Sequence, residues 1–166
     1  ADDGEVIDVC ERGRLRFSAD AVDFFSSEGQ AGVSASNRIR GVVLHDILSR
    51  VVVSDDLDAA VRTSVMNGEL SGCEAAEARM LLSERIASVK DSGWFDVPDA
   101  KVLNEASLID TDGEICRPDR VVVRDGRVVI VDYKFGEHRR SYERQLMKYA
   151  DIWHRMGYDD VSAFLW

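Results

Sequence analysis

Asp119, Asp132 and Lys134 are the residues of this sequence best placed to do chemistry together. Arg117-Pro118-Asp119-Arg120 and Ile130-Val131-Asp132-Tyr133-Lys134 flank the most apolar part of the chain, Val121 to Val123 and Val128 to Val131. Asp is depleted in strands and is rarely buried without a partner. Two acids in such a setting therefore call for positive charge. Magnesium or manganese would supply it, because hard cations take carboxylate oxygens. Arg117, Arg120 and Lys134 would supply it equally well as an ordinary ion-pair cluster, and these residues alone do not separate the two.

Placing these side chains together requires a particular local fold. Asp112-Gly113 and Asp125-Gly126 lie between apolar runs, the strongest short-range signal for a hairpin. The stretch from Asn104 to Gly136 thus reads as a three-stranded antiparallel meander, opened by a strand from Lys101 to Ile109 with Glu105 in its middle. Residues two apart on a strand share a face. Asp132 and Lys134 are then neighbours, with Asp119 across the Asp125-Gly126 turn. Glu105 is costly to bury unless a cation or an arginine stands beside it.

Helical periodicity supplies the rest. Ser36 reads as the N-cap of a helix with Ile39, Val43, Ile47 and Val51 inward, and with Gly41 and His45 one turn apart. His45 taken alone is an ordinary hydrogen-bonded histidine as readily as a ligand. Further helices are expected over Asp55 to Asn67 and Glu74 to Lys90, with Trp94-Phe95 packing on the core. A last helix spans about Arg139 to Met156. It places Gln145 and Tyr149 on one face and Arg140, Arg144 and Lys148 on another, as a basic ridge suited to phosphates or as solvated charge. A final strand runs from Asp160 to Trp166. Near the start, Val6 to Val9 and Leu15 to Phe17 suggest a hairpin around Gly13, Ser18 caps a short helix, and residues 26–34 read as a loop.

The order Glu105, Pro118-Asp119, Asp132-Tyr133-Lys134 resembles the PD-(D/E)XK nuclease signature. It is most similar to the branch found at the C-terminus of RecB and AddA helicase-nucleases. That branch also carries Gly-x-x-x-His, matched by Gly41 to His45, and Gln-x-x-x-Tyr, matched by Gln145 to Tyr149. A bare Asp-x-Lys is weak, but five elements in order over residues 41–149 are far more specific.

The resemblance implies an α/β, restriction-endonuclease-like core: a central mixed sheet flanked by helices, over residues 36–166, with 1–35 a linker segment packed on it. It implies metal-dependent hydrolysis of DNA, exonuclease in type, by His45, Asp119 and Asp132 as ligands of Mg2+ or Mn2+. Glu105 would stand in or beside that shell, Lys134 would hold the attacking water, and Gln145 would orient either. Tyr149, Arg140, Arg144 and Lys148 would contact DNA. It further implies a parent helicase-nuclease of double-strand break repair and recombination, with the helicase N-terminal and a second helicase-nuclease subunit as partner. A catalytically inactive DNA-binding scaffold of the same fold, or a free-standing nuclease on RNA or branched DNA, are the other readings.

The totals bound these expectations. At 166 residues, 45% hydrophobic and 31% charged, the chain suits one globular domain, and the missing initiator Met suggests an excised or processed piece. Cys10, Cys73 and Cys116 are too few and too scattered for a disulfide framework or an iron-sulfur cluster of the AddB type, which fits a reducing cytoplasm. No membrane span is expected, and without a Gly-x-x-x-x-Gly-Lys motif no ATP hydrolysis is expected of this piece. Net charge is −10, yet residues 117–155 carry ten Lys and Arg against six Asp and Glu, +4 there and −14 elsewhere. The motif region is the basic one, as contact with phosphates requires.

Overall fold

The computed structural model describes residues 6–10, 13–17, 41–135 and 140–166. The helix expected after Ser18, the loop over 26–34 and the Ser36 cap with Ile39 lie outside these residues. The chain divides into two compact units, Gly29–Pro98 and a second made of Ala1–Glu28 with Asp99–Trp166. Each is described by itself.

The helical unit contains α1 over residues 41–49, a 3-10 turn Ser54–Asp56, α2 (Leu57–Met66) and α3 (Gly72–Ser88). In α1 the buried positions are Gly41, Leu44, Ile47 and Leu48, followed by Val51, whereas Val43 is half-buried. The stripe is thus turned slightly from that expected on Val43, because Leu44 and Leu48 also seek the interior. Arg50 ties α1 to α2 through the Ser64 hydroxyl at 3.1 Å. Helix α3 starts at a capping box: Ser71 Oγ accepts from the Glu74 amide, and the Glu74 carboxylate accepts from the Ser71 amide. Trp94 and Phe95 are buried, so they pack rather than present rings to solvent.

The second unit is built on a mixed sheet of six strands. They are β1 (Val6–Cys10), β2 (Gly13–Phe17), β3 (Lys101–Asn104), β6 (Arg120–Arg124), β7 (Arg127–Asp132) and β8 (Asp160–Leu165), in the spatial order β1-β2-β8-β7-β6-β3. The N-terminal hairpin expected around Gly13 is present and joins this sheet, β2 pairing parallel to β8. It is therefore integral to the sheet rather than a linker laid upon it. Asp125 and Gly126, with φ of 49° and 80°, make the tight turn from β6 to β7.

Asp112-Gly113 behaves differently. Only Gly113 takes positive φ, and the turn closes a separate ribbon of β4 (Leu108–Ile109) and β5 (Ile115–Cys116). The expected meander is thus β3-β6-β7, with this ribbon inserted between its first two strands. The strand expected from Lys101 to Ile109 stops at Asn104 because Glu105 enters the left-handed region at φ 49°. Glu105 is therefore at a strand end, not in its middle.

Strands β7 and β8 run parallel, so the chain between them must cross over. It does so as α4 (Arg140–Arg155). Leu146, Tyr149, Ile152 and Trp153 of α4 pack on Val121, Val128, Ile130, Val161, Ala163 and Leu165, alternate residues of β6, β7 and β8. Leu146 is completely buried there. Leu146→Ala is expected to cost about 2–5 kcal/mol in urea unfolding, against less than about 0.5 kcal/mol for Met147→Ala, which is exposed on the same helix.

Candidate active site

The sheet register fixes the two acids. Arg120 pairs with Val131, so one step beyond β6 Asp119 stands opposite Asp132. Asp119, Val121 and Val123 share a face with Asp132, Ile130 and Val128, and that is the face α4 covers. Asp132 is 1% exposed and Asp119 8%. The Tyr133 amide donates to Asp119 Oδ2 at 2.6 Å, locking the first carboxylate against the strand that carries the second.

Lys134 is fixed from its backbone. Its amide donates to the Trp166 carbonyl at 2.8 Å and the Trp166 amide donates to that of Asp132 at 3.0 Å, continuing the parallel ladder past β7 and β8. Its Nζ lies 2.5 Å from Asp132 Oδ2 and 4.9 Å from the centroid of the Tyr142 ring. The ammonium is paired on one side and rests on an aromatic face on the other. Apart from this ion pair, Asp132 Oδ2 is buried without a hydrogen-bond donor.

Burial pushes the Asp132 carboxyl up to about 6, the neighbouring Asp119 charge pushes the same way, and Lys134 only partly opposes them. A carboxyl so raised holds its proton to higher pH than an ordinary one, and a bound cation would oppose that. Two adjacent buried carboxylates are hard donors of the kind Mg2+ and Mn2+ take.

Gln145 and Tyr149 meet as expected, but they bond to each other. Gln145 Nε2 donates to the Tyr149 hydroxyl at 2.7 Å, and that hydroxyl donates to the Arg117 carbonyl at 3.2 Å. Burial, then the nearby Asp132 and Asp119 charges, push the Tyr149 phenol up, which places its hydroxyl in the field of both acids.

The remaining expected residues are placed by their own elements. Glu105, half-buried, donates its amide to the Asp119 carbonyl at 2.9 Å, so its backbone is the third position in a row with Asp119 and Asp132. His45 is half-buried on α1 of the helical unit. Within either unit, no three His, Cys, Asp or Glu side chains among the described residues gather to hold a metal. Arg144 is exposed on α4, and the side chain of Arg140 lies outside the described part.

Lys148 departs from the expected basic ridge. It pairs with Asp110 at 2.8 Å and with Glu114, both on the turn of the β4-β5 ribbon, and these bonds raise its ammonium well above the usual lysine range. No spacing in the sequence links Lys148 to acids more than thirty residues away, so this partnership was invisible there. The same holds for the Arg117 carbonyl and the Tyr142 ring.

Compared with family models and with curated protein sequences, the chain matches neither.

Asp132 sets a pH dependence whose sign follows from its raised value. Protonation favours the folded state, so this contribution is full below about pH 4 and is lost as pH rises through about 6. In a chelating buffer, Asp132→Asn is therefore expected to gain about 3 kcal/mol on the wild type between those limits. Urea unfolding at each pH measures it, and a flat difference would mean that burial and the Asp119 charge together do not raise the Asp132 carboxyl.

Proposed function

We propose that this chain is a metal-dependent nuclease domain of restriction-endonuclease-like fold that hydrolyses DNA phosphodiesters. The observation that carries the reading is the buried Asp119–Asp132 pair with Lys134 Nζ 2.5 Å from Asp132. The three residues stand in Pro-Asp and Asp-x-Lys order at one end of two paired strands. The element order supports it: a three-stranded meander, here β3-β6-β7, then a helix, α4, then a last strand, β8, is the order expected from the sequence.

In this reading His45, Asp119 and Asp132 hold one or two divalent cations, with Glu105 in or beside the shell, as the resemblance implies. The cation, when bound, neutralises the phosphate and makes a water acidic enough to attack. The chain's own residues do the rest. Lys134, fixed through its amide and its contact with Asp132, directs the attacking oxygen and offsets the charge of the carboxylates. Gln145 and Tyr149 hold the strand that carries Pro118-Asp119. The wider setting follows the same resemblance: a helicase N-terminal in the parent protein, a second subunit, and work at double-strand breaks.

Asp132→Ala and Lys134→Ala proteins are expected to remain folded by circular dichroism and to lose at least about 100-fold in degradation of linear DNA with magnesium. Near-wild-type cutting by either would remove Asp132 and Lys134 from the mechanism.

One observation favours a second reading, a DNA-binding scaffold of the same fold without catalysis: only two acids converge among the described residues of this unit. Calorimetry with MnCl2 separates the two. The nuclease reading expects binding that is lost in Asp132→Asn and weakens as pH falls through about 6, where Asp132 gains its proton. No heat of binding at about pH 8 would leave the scaffold.

A further inference from the structure

Among the described residues, the cations of 117–155 are mostly committed. Arg120 is buried; Arg124, Arg127, Lys148 and Arg155 each pair with an acid, and Lys134 belongs to the acid pair. Arg117 and Arg144 differ: both are exposed and neither makes an ion pair with a described residue. They are also joined through the site. The Arg117 carbonyl accepts from the Tyr149 hydroxyl, which accepts from Gln145, the residue after Arg144. Arg117 lies two residues before Asp119, on the chain that delivers the first carboxylate.

We propose that Arg117, seconded by Arg144, binds a backbone phosphate adjoining the one to be cut, and that Tyr149 is a positioning residue acting through Arg117. This rests on the nuclease reading and deepens it. A guanidinium forks onto phosphate oxygens, and an exposed one without a carboxylate partner loses no ion pair in doing so. Tyr149, buried, with its hydroxyl already spanning Gln145 and Arg117, has little left to offer a substrate directly. What it can do is hold the backbone from which Arg117 projects. Lys148 instead anchors the β4-β5 ribbon and leaves the phosphate-binding set.

The test measures fluorescence anisotropy of short labelled single-stranded and duplex DNA in the uncleaving Asp132→Asn background, with KM and kcat in the otherwise native protein. Arg117→Ala is expected to weaken binding about tenfold at low salt, to flatten the salt dependence by about one phosphate contact, and to raise KM more than it lowers kcat. Arg117→Lys should restore the salt slope. Tyr149→Phe, which keeps the ring in the core, should give a smaller KM rise that adds nothing in the double variant with Arg117→Ala. Lys148→Ala should lower thermal stability and weaken binding less than Arg117→Ala does.

Cutting and binding that persist in Arg117→Ala with an undiminished salt slope would overturn this assignment and leave the nuclease reading standing. Additive losses from Tyr149→Phe would make the tyrosine an independent contact. A native protein that neither binds nor cuts DNA would end the nuclease reading itself.

Discussion

Two carboxylates buried side by side on adjacent strands are the constraint that organises the sheet unit. In an interior lined by Val121, Val128, Ile130 and Leu165, a lone ionised acid is expensive and a second beside it more so. The fold sets an ammonium 2.5 Å from Asp132 and a backbone amide 2.6 Å from Asp119, and Asp132 is still pushed toward its neutral form. The unit thus carries an unmet demand for positive charge at one place. A packed protein without a use for that demand would be more stable with an amide or an alkyl group there. Stability given up at a specific pair of acids is the physical mark of a site.

Helix α4 links this demand to the rest of the unit. It is the crossover that parallel β7 and β8 require, and its apolar stripe of Leu146, Tyr149, Ile152 and Trp153 seats it on the sheet. Once seated, the same turn of helix presents Gln145 and Tyr149 to the Arg117 carbonyl, Lys148 to the ribbon acids, and the Tyr142 ring to the Lys134 ammonium. Packing therefore sets the polar geometry. Displacing α4 would disturb the acids, the lysine and the inserted ribbon together.

Local signals carried well into this structure and nonlocal ones did not. The Asp125-Gly126 turn, the α4 stripe and the alternation of β8 are written in residues a few positions apart, and each element formed close to its expected bounds. Asp119, Asp132 and Lys134 met because one tight turn sets their register. Glu105 was misplaced within its strand because left-handed φ at a non-glycine residue leaves no mark in composition or period. The ribbon went unseen for a related reason: Asp112-Gly113 signals a reversal without saying which strands it joins. Lys148 illustrates the limit most clearly, since a charge at helical spacing looks solvated until the fold brings Asp110 and Glu114 to it.

The inserted ribbon also shows which basic side chains of α4 are already engaged within the unit. Asp110, Asp112 and Glu114 form a negative turn between Glu105 and Asp119, and left to itself that turn would repel a polyanion from the neighbourhood. Lys148 holds Asp110 and Glu114, and Arg155 reaches the Thr111 hydroxyl at 2.9 Å, so basic side chains of α4 are spent on the ribbon. Lys148 thus offsets one of the three negative charges of the turn at close range. What projects from the other end of the Gln145–Tyr149–Arg117 chain is then the uncompensated charge of Arg117 and Arg144. In a chain of net charge −10, pairing rather than composition decides which charges are left unmatched on the surface.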